Sequence, residues 1–362
     1  MKKVLIVIDT LYGGGAERVA CRIANALSVD NEVVIYTRST PDRYQIAENI
    51  KVLIFTNPPL LLDYRGRGMT FIQPIEAPLN NLNLYWYLIK KLKDIKRKEK
   101  PDVTLSLLKI PNIINAFSKG PGLKVLSERN NPAKKNAAYR RWSNLCFRRA
   151  DRVVFQTETI RNHYSSSIRK KGVVVPNPVL VDCQATGGSK RIVTMGRLHP
   201  QKNHAMLIKA FALFSKNHPE HTLHIYGKNN GEENLKPLIE SLSLTDKVFI
   251  EGFKNPVHPF IADAEQFVLS SDYEGTPNAL LEALMMGFPC ITTAFEGTHE
   301  LLGEDAPCLV TPVGDEVALA EAMARLADDS ALRETLSTCA VQFAQDFSME
   351  KIMPKWRDVL FS

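Results

Sequence analysis

The chain has 362 residues, 44% of them hydrophobic and 23% charged, with 19 glycines and 21 prolines that show no period. That is about twice the size of one domain, so two globular domains are expected, and disorder, collagen and coiled coil are excluded. The net charge of +7 hides a split, because residues 1–172 carry 31 basic and 14 acidic side chains while residues 173–362 carry 15 and 25.

In chain order, apolar runs of strand length alternate with amphipathic helical stretches. The first half predicts strands at 3–8, 32–36, 52–55, 102–107, 124–127 and 153–156. Most are continuous Val/Ile/Leu runs, as strands covered on both faces of a parallel sheet should be. The pattern restarts at 191–195, 222–226, 248–250, 266–269 and 290–293, each run followed by a helix signal. Two doubly wound α/β domains follow, at 1–172 and 190–346. The segment 173–189, with Pro176, Pro178, Gly187 and Gly188, reads as a linker. A cleft between the sheets is the expected site, since open α/β sheets bind ligands beyond the carboxyl ends of their strands. No apolar run approaches the roughly 18 residues of a membrane span, and the start Met1-Lys2-Lys3 enters a strand and not a leader. Six cysteines scatter without a Cys-x-x-Cys pair, which suits reduced thiols in a cytoplasm.

Three segments carry chemistry. Gly13-Gly14-Gly15-Ala16-Glu17-Arg18 follows the first strand and opens a helix, where close-packed backbone amides can meet a phosphate. It matches neither G-x-G-x-x-G nor a P-loop, and a glycine-rich turn without a ligand is the alternative. Gly196-Arg197-Leu198-His199-Pro200-Gln201-Lys202-Asn203 follows the first strand of the second half. Its guanidinium and ammonium suit a pyrophosphate, Asn203 suits the N-cap of a helix running towards Lys216, and two solvated surface cations are the alternative. Ser270 to Gly287 places Glu274 on a loop, Pro277 at a first helical position and Glu282 inside the helix that Gly287 closes. Two carboxylates there can accept hydrogen bonds from sugar and ribose hydroxyls, and the Gly275 and Thr276 amides can meet phosphate oxygens; a capped amphipathic helix with two incidental acids is the alternative.

Together these segments make the chain resemble a family 4 retaining glycosyltransferase of GT-B architecture, in which two Rossmann-like doubly wound domains face each other across a cleft. The resemblance rests on Gly14-Gly15-Ala16-Glu17, Pro176-Asn177-Pro178, Gly196-Arg197-Leu198, Gln201-Lys202-Asn203, the E-x7-E pair Glu274 and Glu282, Gly287-x-Pro289, and Gly297 to Glu300. It implies that Arg197 and Lys202 hold a donor diphosphate, with Gly196, Asn203, Gly275, Thr276, Pro277 and Asn278 around the donor. It further implies that Glu282 binds the ribose and Glu274 the donor sugar, and that Gly15 lies near the diphosphate or the acceptor. The acceptor side would use Gly14, Gly15, Glu17 and Arg129. Catalysis would draw on Glu274, Arg197, Lys202, Glu128 and Arg129, with retention by front-face attack and a C-terminal helix at 347–362 packing back on the first domain. Where many relatives carry a histidine, this chain has Ser127-Glu128-Arg129-Asn130, resembling a Ser-Glu-Arg-Asn subgroup. A Tyr226–Gly231 segment stands in place of a tighter Gly-x-Gly turn.

No metal or cofactor is expected, since there is no D-x-D run and His299-Glu300 lacks the second histidine of a zinc-protease helix. The basic half has two foci: seven cations between Leu84 and Lys100, beside Tyr85-Trp86-Tyr87, and six between Lys134 and Arg149 with no acid. Aromatics beside cations fit a helix lying on an anionic membrane; a solvated charged face is the alternative, and no nucleic-acid-binding signature accompanies the charge. The whole reads as a cytoplasmic enzyme, peripheral on the inner membrane face. It would move a hexose or N-acetylhexosamine (GalNAc, GlcNAc or Gal) from a UDP-sugar to a lipid-diphosphate-linked saccharide in O-antigen or capsule assembly. A different GT-B enzyme, such as a nucleotide-sugar epimerase, or a non-catalytic membrane-associated binding subunit are the alternatives.

Overall fold

The structure is a computed structural model. It describes residues 1–11, 14–39, 45–54, 76–130, 132, 135–229, 231 and 233–362, with backbone alone at 76–82. The chain divides into two compact units, Met1–Pro176 with Met353–Ser362, and Asn177–Ile352.

Unit 1 begins with β1 (Lys3–Val7), α1 (Gly15–Leu27), β2 (Glu32–Thr37), β3 (Lys51–Ile54) and α2 (Glu76–Glu99). It continues with β4 (Val103–Leu107), α3 (Lys109–Phe117), β5 (Leu123–Ser127), α4 (Ala137–Arg148) and β6 (Arg152–Phe155), then α5 (Glu158–Asn162), α6 (Ser166–Arg169) and β7 (Gly172–Val174). The seven strands form one parallel sheet in the order β3-β2-β1-β4-β5-β6-β7. Strand order therefore reverses between β1 and β4, and the crevice beyond their carboxyl ends is the natural ligand position of such a sheet. Leu5, Val7, Val34 and Tyr36 pack with Leu88 and Leu92 of α2, and Leu126, Val153 and Phe155 pack with Phe147 of α4. Each such fully buried aliphatic side chain contributes about 1.5–3 kcal/mol.

Unit 2 opens with β8 (Arg191–Met195), α7 (His204–Phe214), β9 (Thr222–Tyr226), α8 (Lys236–Ser241), β10 (Val248–Gly252) and α9 (His258–Ile261). Then come β11 (Gln266–Leu269), α10 (Asn278–Met286), β12 (Cys290–Thr293), α11 (Thr298–Leu302), β13 (Leu309–Thr311), α12 (Glu316–Asp328), α13 (Ser330–Ala344) and α14 (Met349–Phe361). Its six parallel strands run β10-β9-β8-β11-β12-β13, with the reversal between β8 and β11. Local signals explain the helix ends. Asn203 accepts from the Met206 amide to start α7, Asp315 accepts from Val317 and Ala318 to start α12, and Gly287 ends α10 at φ 85°.

Several boundaries differ from the sequence expectation. Pro277 is the N-cap of α10 at φ −77° and ψ 81°, and the helix starts one residue later. Helix α7 stops at Phe214, where Ser215 takes the cap. β7 and β13 are three-residue edge strands outside the predicted runs, and Phe55 lies outside the described residues. The segment read as a linker is largely fastened to unit 2: the Ala185 amide donates to Met286 O at 2.7 Å, Thr186 to Ala262 O at 2.7 Å and Ser189 to Asp263 O at 3.0 Å.

From Met353 on, α14 belongs to unit 1. Trp356 is fully buried there, and Arg152 at the start of β6 donates to Val359 O at 2.5 Å and Ser362 O at 2.7 Å, satisfying carbonyls that a helix C-terminus leaves open. Helix α2 shows Trp86, 69% exposed, with Lys90, Lys91, Arg97 and Lys98 exposed on the same side. Lys96 departs from the expected basic face: it lies on the Leu88, Leu92, Glu99 stripe, fully buried, with Nζ donating to Asn115 Oδ1 at 2.8 Å.

Candidate functional site

The reversal in unit 2 brings together the loops after β8 and β11, which are the two segments singled out in the sequence. Their joining is polar and specific. The Asp272 amide donates to Gln201 O at 2.9 Å, Ser270 Oγ to Lys202 O at 2.8 Å, Gln201 Nε2 to Tyr273 O at 2.8 Å and Asn203 Nδ2 to Asp272 Oδ1 at 2.7 Å. Asn203 sits in the left-handed region at φ 47°, which lets one side chain cap α7 and grip the second loop at once. Sequence reasoning missed Gln201, Ser270 and Asp272 as the clasp; polar residues directly after two buried strands were the available signal.

The clasp places Lys202 Nζ 2.6 Å from Glu274 Oε1, and Ser271 Oγ donates to the same oxygen at 2.7 Å. Both charged side chains are mostly shielded, at 16% and 8% exposure. Arg197 is exposed and makes no ion pair among the described residues. Gly196 is where Lys202 passes, since a Cβ there would lie 3.1 Å from Lys202 Cε. Glu282 is in the buried core of α10, its Oε2 3.6 Å from His258 Nε2, and His258 Nδ1 lies 2.7 Å from Asp182 Oδ2. Asn278, at the start of α10, accepts from Asn177 Nδ2 at 2.6 Å, which draws Asn177 of the Pro-Asn-Pro segment to this loop. Gly275, Thr276 and Pro277 form the turn between Glu274 and α10. An ammonium already matched by an internal carboxylate, beside an exposed guanidinium, can exchange that partner for an external phosphate with little desolvation cost.

In unit 1 the first loop carries Gly14 as N-cap and Gly15 as first residue of α1, while Gly13 lies outside the described residues. Glu17 turns back on its own helix start, accepting from the Gly14 amide at 2.7 Å and from Thr10 Oγ1 at 2.5 Å. Glu128 and Arg129, expected to be catalytic, are both buried. Glu128 accepts from Tyr164 OH at 2.6 Å, Tyr139 OH at 2.9 Å and the Arg129 and Asn130 amides at 3.0 and 3.1 Å. Burial pushes its carboxyl up against the opposing pull of those donors. Four donors thus hold this carboxylate within the loop after β5. Arg129 lies with its guanidinium 5.3 Å from the Trp356 ring, and burial pulls it down to about 9, still charged at neutral pH. Among the described residues no group of three or more His, Cys, Asp or Glu could hold a metal ion.

Comparison with known proteins fits this geometry. The family model described as "Glycosyl transferases group 1" matches residues 183–342, and "Glycosyltransferase Family 4" matches residues 13–182. Two Campylobacter jejuni proteins are each 26% identical. One, named N-acetylgalactosamine-N,N'-diacetylbacillosaminyl-diphospho-undecaprenol 4-alpha-N-acetylgalactosaminyltransferase, aligns over 97% of both chains. The other, an alpha-1,4-N-acetyl-D-galactosaminyltransferase acting on a diNAcBac-PP-undecaprenol glycan, aligns over 98% of this chain and 97% of its own. Anabaena HepE, solved with UDP and glucose, superposes over 100% of both chains with a TM-score of 0.79 at 18% identity, which shows the shared fold. The chain belongs to the group 1, family 4 glycosyltransferases of GT-B fold.

Proposed function

We propose that this chain is a retaining hexosyltransferase that moves N-acetylgalactosamine, or a closely related hexose or N-acetylhexosamine, from a UDP-sugar to a lipid-diphosphate-linked saccharide in surface-polysaccharide assembly. The observation that carries the reading is the Lys202–Glu274 pair held at the reversal point of unit 2. A donor diphosphate there would take over Lys202 and engage Arg197, freeing Glu274 to accept hydrogen bonds from the sugar hydroxyls. Glu282, at 1% exposure, would reach the ribose only as the donor opens the α10 flank. In the transfer step the acceptor hydroxyl oxygen forms the new bond to the anomeric carbon while the carbon–phosphate-oxygen bond breaks on the same face, and the hydroxyl proton passes to the departing phosphate. The two cations neutralise the charge that develops on the leaving group, so the chemistry needs no metal. The relatives' names support the lipid-linked acceptor, and the UDP complex of HepE supports the donor nucleotide.

No described helix is long and apolar enough to cross a membrane. The exposed Trp86, Lys90, Lys91, Arg97 and Lys98 on α2 fit peripheral contact with an anionic cytoplasmic leaflet, where a lipid acceptor resides. A panel of nucleotide-sugars screened by melting temperature, followed by transfer to an isoprenyl-diphosphate-linked saccharide, tests the proposal: one UDP-sugar should stabilise by mass action and be consumed only with acceptor present. Stabilisation by none of them, or consumption without acceptor, would overturn it.

A further inference from the structure

Glu282 lies on α10 with its side chain fully buried, between Leu281 and Ala283 in a helix whose other members are apolar from Ala279 to Met286. A carboxyl group in that setting needs polar company. Helix α9 supplies it in His258, itself 3% exposed, whose Nε2 stands 3.6 Å from Glu282 Oε2. That is an ion-pair distance, longer than a hydrogen bond, and among the described residues Nε2 makes no hydrogen bond elsewhere.

The other nitrogen of the ring is tied down. Nδ1 lies 2.7 Å from Asp182 Oδ2 and 3.2 Å from the Asp182 amide. A hydrogen on Nδ1 donates to that carboxylate, which fixes the ring and leaves Nε2 aimed at Glu282. Imidazole can carry a hydrogen on each nitrogen and so serve two carboxylates at once. Neither Asp182 nor His258 was among the residues expected at the site.

Asp182 also opens a run of contacts that ties α9 to α10. The Ala185 amide donates to the carbonyl of Met286, the last residue of α10, at 2.7 Å. Directly after α9, Ala262 O accepts from the Thr186 amide at 2.7 Å and from Thr186 Oγ1 at 3.2 Å, and Asp263 O accepts from the Ser189 amide and hydroxyl at 3.0 and 2.8 Å. Val181, Cys183 and Ala185 pack on the apolar cluster that holds Leu280 and Leu284. A segment fastened to the ends of both helices sets the spacing of the side chains they carry, here His258 and Glu282. A carboxyl group that accepts from two neighbouring hydroxyls must be presented at one angle, because turning it weakens both bonds.

We propose that His258 is a positioning residue for Glu282 and that Asp182 orients it, so recognition of the donor's ribose hydroxyls depends on the segment 182–189. This rests on the nucleotide-sugar donor proposed above, and it extends the ribose site from Glu282 to the chain Asp182–His258–Glu282.

Calorimetry of the full chain with UDP and with 2′,3′-dideoxy-UDP tests it, because only UDP has the hydroxyls that Glu282 would hold. The parent should prefer UDP by about tenfold or more, since a charged acceptor rejects a ligand that lacks its donors. In His258→Leu the preference should fall to about twofold or less, with UDP weakened to the level of the dideoxy nucleotide and the latter unchanged within about twofold. Asp182→Ala alters a half-exposed side chain and should reduce the preference in the same way, so the test stands even if His258→Leu folds poorly. His258→Gln, which keeps a donor in place of Nε2, should restore most of it. A parental preference in either folded variant, an equal loss of both nucleotides, or no rescue by His258→Gln overturns the inference. UDP binding without ribose preference in the parent overturns it too and leaves the transferase proposal standing. A His258-dependent ribose preference in a protein that transfers sugar to no isoprenyl-diphosphate-linked saccharide overturns the transferase proposal alone, and a parent that binds neither nucleotide overturns both.

Discussion

Lys202 Nζ and Glu274 Oε1, 72 residues apart in sequence, lie 2.6 Å apart. The pair joins the two loops that the reversal of strand order brings together, and it sets the first prediction. Glu274→Gln removes the carboxylate that competes with phosphate for Lys202 but also the acceptor for sugar hydroxyls. UDP affinity should stay within threefold of the parent while transfer falls about 10²–10³-fold, whereas Lys202→Met should weaken UDP itself by tenfold or more. Calorimetry with UDP and a radiolabelled-sugar transfer assay read the two effects apart; parental turnover in Glu274→Gln would remove the pair from the mechanism.

Gly227 and Gly196 separate a rigid constraint from a soft one. A Cβ on Gly227 would stand 1.6 Å from Gly196 O, backbone against backbone, so Gly227→Ala must push apart the turns after β8 and β9 and should cost about 3 kcal/mol or more. A Cβ on Gly196 meets only the stem of Lys202, at 3.1 and 3.2 Å, and that chain can swing. Gly196→Ala should keep the parental denaturation midpoint and lose UDP affinity. Equal destabilisation of the two variants would contradict this.

Lys96 should make stability depend on pH. Burial, with Lys124 adding to it and Asp151 opposing, lowers its ammonium from 10.5 to about 7. Between those values the unfolded chain holds a proton that the folded chain has released, so stability rises as pH goes from 7 to 10.5, and below 7 the burial cost is felt in full. Lys96→Met should be more stable than the parent by about 1–4 kcal/mol at pH 7, with the difference shrinking towards pH 10. Denaturant unfolding at both pH values checks it; a pH-independent difference would show that Lys96 is not the titrating group.

Membrane contact through α2 predicts a selective response. Replacing Lys90, Lys91, Arg97 and Lys98 with glutamine should lower partitioning onto anionic vesicles by about 10²–10³-fold at low salt, at about 1 kcal/mol for each cation, and leave neutral vesicles unaffected. Lys96→Gln should not change partitioning, because that side chain is buried. Vesicle co-sedimentation at two salt concentrations reads both outcomes.

Most strands were legible because a strand covered on both faces must be apolar throughout. The runs at Arg191–Met195, Thr222–Tyr226, Gln266–Leu269 and Cys290–Thr293 coincide with observed strands. β7 and β13 escaped because their apolar runs, Val173–Val175 and Cys308–Val310, are short and the strands are partly exposed at the sheet edges. At the site, the sequence named Lys202 and Glu274 and could not show that they pair, since that depends on β8 and β11 being neighbours. Charge counting misjudged Lys96, although its spacing of four from Leu92 and eight from Leu88 puts it on the inward stripe of α2. The motif drew attention to Glu128, but its burial was not legible, because the phenols that enclose it come from Tyr139 and Tyr164, 11 and 36 residues away.

The return of Met353–Ser362 to unit 1 makes unit 2 an insertion between the body of unit 1 and its last ten residues. Its two ends already meet within unit 2, where the Val179 amide donates to Phe347 O at 2.8 Å, so the inserted stretch can close on itself before α14 is complete. On the ribosome, at about 5–20 residues per second, unit 1 must wait through the synthesis of all of unit 2 before Trp356 can fill its place beside Arg129. For that interval the first-made half of the enzyme carries an open apolar socket, so a nascent chain stalled anywhere between the units is the species most exposed to aggregation and to chaperone capture.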